Sequence, residues 1–133
     1  MSMKISLFDR SRVPLLEKEM DAFSIENKAI ASNIANIGTP SYRRVYVSFQ
    51  NELSNAIADS NNDVSLSQNV EQVQPELKLD PNGFLASGAN NVSIEQEMAD
   101  LAKNQLKFKL AARLMSDTLN CEETPEMEFA MFY

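Results

Sequence analysis

The sequence predicts a mainly α fold: two long terminal amphipathic helices packing as a coiled coil, with a small, partly extended or disordered middle segment between them. Three observations predict it. Apolar residues recur at alternating steps of three and four over 13–37 and again over 94–119, which is the heptad period of a helical seam. Start and stop residues bracket the first stretch, and a pair with capping-box spacing starts the second. The stretch between them has no such period and is rich in Asn, Ser, Asp and Gln. The chain then divides into an N-terminal helix and turn (1–44), a middle segment (45–92), a C-terminal helix (93–120) and an acidic tail (121–133).

The first helix is expected from about Ser11 to Ile37, with the seam Val13, Leu16, Met20, Phe23, Asn27, Ile30, Ile34 and Ile37. Ser11 is placed to act as N-cap, and Pro14 falls in the first turn, where its missing N–H costs little. Gly38 stands where a left-handed C-cap residue is wanted, with Pro40 two residues on as a stop. At about 1.5 Å per residue the helix is roughly 40 Å long, which is long for a protein of 133 residues.

In the middle segment, residues 42–50 are aromatic and β-branched and read as extended. Phe49 to Ile57 reads as a short helix. Residues 59–92 carry turn signals at Pro75, at Pro81-Asn82-Gly83 and at Gly88, with short strands near 70–79 and 83–86. So long a stretch without strong pattern points to a segment that orders on a partner.

The second helix is expected from Ser93 to about Leu119. Ser93 and Gln96 have capping-box spacing. Glu95, Glu97 and Asp100 lie early, and Lys103, Lys107, Lys109 and Arg113 later, which complements the helix dipole. Its seam is Ile94, Met98, Leu101, Gln105, Phe108, Ala112, Met115 and Leu119. Each seam holds one amide, Asn27 or Gln105. Such an amide either fixes register at a cost in stability or rotates out to meet water. Neither helix can bury its stripe alone, so each apolar face demands a partner.

Composition removes most chemistry. The chain has no His, one Cys, no Trp and three Gly, with twelve basic and nineteen acidic residues and a formal charge of −7. There is no imidazole base, and Cys121 by itself makes no internal disulfide or thiolate cluster. Three scattered Gly do not build a phosphate-cradling loop. The acidic balance argues against a nucleic-acid partner. No apolar run approaches the roughly 20 residues of a transmembrane helix. Lys4, Asp9, Arg10 and Arg12 interrupt the start, so no cleaved secretory signal is expected. Glu95 and Glu97 point to different helix faces and make a poor acid–base pair. No catalytic residue, cofactor or metal site is expected, and an enzyme is not the expected reading.

The charge is uneven. Residues 1–52 hold seven basic and six acidic side chains, and residues 53–133 hold five and thirteen. Asp117, Glu122, Glu123, Glu126 and Glu128 follow residue 116 with no basic residue among them. They form either a solvated tail or a contact with a basic partner.

The least generic stretch runs from Ala31 to Arg44. Asn is a poor helix former, yet Asn33 and Asn36 stand at the helix end. Their amides can satisfy carbonyls at the helix exit or reach a neighbouring chain. Thr39-Pro40-Ser41-Tyr42 then turns the chain and presents a ring. The stretch is either a structural corner or an assembly contact.

Ser32-Asn33-Ile34-Ala35-Asn36, Thr39-Pro40 and Tyr42-Arg43 resemble the N-terminal signature S-N-I-A-N-x-x-T-P-G-Y-[KR] of the bacterial flagellar basal-body rod and hook axial family. The family's Gly is replaced by Ser41, and a position that needs φ > 0 is costly for Ser. Asn90 to Phe108, with Glu95, Glu97, Met98 and Leu101-Ala102-Lys103-Asn104-Gln105-Leu106, is similar to the pattern N-N-V-x-[LI]-E-x-E-M-x-x-L-A-x-N-Q-L-x-[YF] of the proximal rod member. The resemblance covers about 13–58 and 88–119.

The resemblance implies a structural subunit of the proximal rod, the drive shaft that transmits torque from the membrane ring to the hook. It implies export through the flagellar type III apparatus, periplasmic assembly, and self- and co-assembly through terminal helices. The implied partners are other rod subunits and the rod-to-membrane-ring junction protein. The two seams, from Leu16 to Ile37 and from Ile94 to Leu119, would carry subunit packing. Asn33, Asn36, Thr39, Pro40 and Tyr42 would shape the exit from the inner helix layer. Substitution of Ile30 and Ile34 by Asp is expected to block assembly. The alternative is a soluble helical-hairpin adaptor or chaperone-like binding module, in which the seams close within one chain.

Overall fold

The structure is a computed structural model that describes residues 12–60, 63–81 and 91–120. Helix α1 spans Val13–Ala35, strand β1 Val45–Ser48, helix α2 Gln50–Ala58, helix α3 Asp63–Gln72, strand β2 Glu76–Leu79 and helix α4 Ile94–Asn120. The long helices α1 and α4 pack along each other, and α1 also carries the middle elements. The two long helices therefore match the mainly α architecture with a small middle that the sequence predicts.

Helix α1 buries two adjacent faces. Leu16 and Phe23 meet Ala111 of α4, with Met20, Leu114 and Met115 around them. Ala22 faces the other way and meets Phe49, Leu53 and Val70, with Leu15, Val47, Leu66 and Val73 alongside. The small Ala22 lets α3 approach the helix closely, and α2 packs on α3. The strands form an antiparallel pair, with Val45 opposite Leu79 and Ser48 opposite Glu76. The ladder is prolonged by Asp80, whose N–H donates to the Arg44 carbonyl at 2.8 Å.

The middle is more ordered than its composition implies. Helix α3 arises from a polar sequence, because Val70 reaches the core against Ala22 and Leu53 and is 1% exposed. Tertiary burial here overrides weak local propensity. The strand expected over 83–86 lies outside the described residues, as does the acidic tail.

The helix ends depart from expectation. Arg12 precedes α1 and makes no side-chain capping bond, and Ser11 lies outside the described residues. The left-handed residue after α1 is Ser41, at φ 62°, and not Gly38. Asn36 ends the helix instead, its Nδ2 donating to the Ser32 carbonyl at 2.8 Å. The same carbonyl also accepts the Asn36 backbone N–H at 3.1 Å, so the side-chain amide adds a second bond at the helix exit. At α4, Ser93 Oγ accepts from the Gln96 N–H at 3.4 Å, but Gln96 Nε2 donates onward to Asp100 at 2.9 Å. Only half of a capping box forms.

Candidate functional site

The densest polar constellation lies where α1, the turn after it, β1 and the start of α4 meet. Asn33 and Glu97 are both fully buried. Asn33 Nδ2 donates to the Val45 carbonyl at 2.8 Å and to Glu97 Oε2 at 3.1 Å. Asn33 Oδ1 accepts from the Val45 N–H at 2.9 Å and from the Tyr42 hydroxyl at 3.1 Å. Arg44 then closes the group. Its Nε donates to Glu97 Oε1, and its Nη2 to Asp100 Oδ2 at 3.1 Å. Its backbone N–H donates to Asn91 Oδ1 at 2.8 Å. Burying a carboxylate is costly unless it is paired and hydrogen-bonded, and Glu97 is both. The arrangement ties four chain segments together and leaves no reactive group poised. Its chemistry is structural.

The turn is built for this. Thr39 Oγ1 donates to Asn36 Oδ1 at 3.1 Å, and the Tyr42 N–H reaches the Thr39 carbonyl at 3.3 Å. The left-handed Ser41 swings Tyr42 back so that its hydroxyl meets both Ser32 and Asn33. Arg43 Nη2 donates to the Asp80 carbonyl at 2.7 Å, pinning the far end of β2.

The second feature is the face of α4. Its buried residues are Glu97, Asn104, Ala111 and Thr118, a strict seven-residue repeat. This line lies one residue before Met98, Gln105, Ala112 and Leu119 of the apolar seam read from the sequence. Asn104 can sit inside because its Nδ2 donates to the Phe23 carbonyl at 2.8 Å. Thr118 satisfies its hydroxyl on the Leu114 carbonyl at 2.7 Å. Met98 is 52% exposed, and Ile94, Phe108 and Leu119 also stand in solvent. Leu101, Ala112 and Met115 are half-buried, and Gln105 is exposed.

On α1 the placement is mixed. Leu16, Phe23 and Ile30 are buried, Met20 and Ile34 half-buried, and Asn27 and Ile37 exposed. Thr39 and Pro40 are exposed, while Asn36 and Tyr42 are half-buried in the turn. Sequence reasoning assigned no packing role to Arg44, Glu97 or Asn104, although Glu97 and Asn104 stand in the second pattern. A carboxylate and an amide seven residues apart, in register with Ala111, was the available signal.

Glu19 and Glu26 of α1 lie within electrostatic reach of Lys107 on α4. Burial pushes both carboxyls above their ordinary value of 4.5, and Lys107 partly offsets this. Among the described residues no helix is long and apolar enough to cross a membrane.

Comparison with known proteins decides the family. The chain is 32% identical over 125 residues to the flagellar basal body rod protein FlgB of Borrelia hermsii, covering 84% of this chain and 92% of that one. It is 31% identical over 134 residues to FlgB of Bacillus subtilis, covering 90% and 95%. The chain belongs to the FlgB family of flagellar basal body rod proteins. FlgB of Borreliella burgdorferi is 30% identical over 122 residues, covering 82% and 90%. No family model matches. In this FlgB-family chain the signature residues Asn33, Asn36 and Tyr42 lie in one corner with Arg44, where Asn33 bonds Tyr42 and Glu97, Arg44 bonds Glu97, and Asn36 closes the helix on Ser32.

Proposed function

We propose that the chain is a structural subunit of the proximal rod of the flagellar basal body. It acts after export through the flagellar type III apparatus, in the periplasm. It self- and co-assembles through its terminal helices, and the partners are other rod subunits and the rod-to-membrane-ring junction protein. In this reading the corner around Asn33 and Glu97 holds the middle elements rigidly against the helices, so torque passes through the subunit without bending it.

One observation carries the proposal. The inward line of α4 is Glu97, Asn104, Ala111 and Thr118, with Leu114 and Met115 beside it, and Met98, Phe108 and Leu119 are left outside. An apolar stripe of that length on a helix of 27 residues calls for a second helix. The hairpin-module reading has one observation in its favour, the packing of α1 on α4 within the chain. It leaves the outer stripe of α4 unused.

The test is the pair of substitutions Met98→Asp and Leu119→Asp in the cell. Both sites are exposed, so the fold should persist, whereas Ile30→Asp would strike a residue only 3% exposed and break the chain itself. Export should continue while rod assembly and swimming are lost. Normal swimming with the double variant would overturn the assigned face.

A further inference from the structure

The two edges of the β1–β2 pair are treated differently. The Asp80 N–H bonds the Arg44 carbonyl, so the peptide groups of β2 that face β1 are those of Glu76, Lys78 and Asp80. Those of Leu77 and Leu79 therefore point away from β1. On the opposite edge the Val45 peptide also points outward, and Asn33 satisfies it. The Leu77 and Leu79 peptides have no such partner among the described residues. The next positions along that edge belong to Pro75 and Pro81, which carry no N–H. The open stretch is thus confined to Glu76–Asp80.

Its side chains are two-faced. Leu77 and Leu79 lie opposite Val47 and Val45, on the face that Val47 turns to the core. They are nevertheless 60% and 54% exposed, because α1 packs on β1 and leaves β2 overhanging. An unpaired edge with apolar residues at alternate positions is a template for another strand. On the other face, Lys78 is shared between Glu52 at 3.4 Å and Glu76 at 3.8 Å. Glu76 also lines, with Glu52 and Asp59, a groove of about 510 Å³ whose lining includes no basic residue. Acidic groups outnumber basic ones there.

A second copy of β2 is a poor occupant. In the antiparallel register that gives both leucines full partners, Leu77 meets Leu79 of the other copy. The two Lys78 ammonium groups then stand directly opposite each other, which is destabilising.

We propose that β2 accepts an extended segment of a different protein as a third strand, with apolar residues opposite Leu77 and Leu79 and a basic residue opposite Glu76. Main-chain bonds to the two leucines supply affinity, and the acidic face beside the groove selects the segment. This surface is separate from the face of α4 that carries the rod reading.

The test titrates a capped synthetic peptide, Thr-Val-Thr-Val-Lys-Thr, to millimolar concentration into the nitrogen-labelled full chain. The amide resonances of Leu77 and Leu79 should move downfield as each N–H gains an acceptor. Glu76→Lys should weaken binding about threefold or more, and a peptide with Glu in place of its Lys should bind that variant as the parent peptide binds the parent chain. A peptide N-methylated at both valines keeps the side chains but lacks the donors, and should not bind. Unchanged resonances of Asn33, Arg44 and Glu97 report that the variant is folded. Leu77 and Leu79 resonances that stay in place would overturn the proposal. So would equal binding of the N-methylated peptide, or an affinity unaffected by Glu76→Lys. Movement of the same two resonances with protein concentration alone would also overturn it, since the occupant would then be a second copy.

Discussion

The Asn33 carboxamide faces the Val45 peptide as a strand partner would, donating to its carbonyl at 2.8 Å and accepting from its N–H at 2.9 Å. A helix residue thereby supplies the hydrogen bonds that start β1. The same amide donates to Glu97 on α4, so one side chain fixes both the strand and the second helix. Asn33→Ala would orphan the Val45 peptide and remove a donor from a buried carboxylate. Each orphaned buried group costs about 1–3 kcal/mol, so the total loss is roughly 3–5 kcal/mol. Urea unfolding of the purified chain reads it, and an unchanged midpoint would contradict the arrangement.

Arg44 and Glu97 form a buried ion pair that Asp100 and Asp80 extend at 3.1 and 3.7 Å. Removing one partner of such a pair leaves an unpaired charge and costs about 3–5 kcal/mol. Arg44→Met should therefore be more destabilising than Arg44→Met combined with Glu97→Met. Additive losses in that double-mutant cycle would mean that the two residues do not act as a pair.

Ser41 adopts φ 62°, a conformation that costs a residue with a Cβ about 1–2 kcal/mol. Ser41→Gly relieves that strain and gives part of it back as chain entropy. The expected gain is on the order of 0.5–1 kcal/mol, seen as a higher urea midpoint with unchanged slope. A loss would show that the Ser41 side chain contributes more than its backbone costs.

Glu19 and Glu26 have carboxyls raised above 4.5 by burial, against the attraction of Lys107. The folded state therefore binds their protons more tightly than the unfolded state. The contribution favours folding below the unfolded value and is lost as pH rises through the raised folded value. Glu19→Gln with Glu26→Gln should raise stability at neutral pH and change it less in acid, below the ordinary carboxyl value. A larger gain in acid than at neutral pH would reverse the assigned sign.

The apolar period of 13–37 marked α1 to within two residues at each end, and the Ser93 cap and charge order marked α4 almost to the residue. The extended reading of 42–50 contains β1, and α2 was legible from Phe49 onward, whereas the strand expected near 70–79 forms only over Glu76–Leu79, since its first residues belong to α3. Helix α3 was not legible, because Asp63–Gln72 is polar and its deeply buried Val70 depends on Ala22 and Leu53 from distant parts of the chain.

By itself, then, the sequence determined the two long helices, the extended stretch after the first of them and the absence of imidazole chemistry. Local hydrogen bonding and hydrophobic period act over a few residues, and both can be read along the chain. Only the tertiary structure decided which line of α4 turns inward. The apolar seam was the natural choice by hydropathy, but Glu97 and Asn104 meet partners 53 and 81 residues away in Arg44 and Phe23. Those partners remove the cost of burying polar groups. Met98, Phe108 and Leu119 of the apolar line are thereby left at the surface, while Leu101, Ala112 and Met115 stay half-buried.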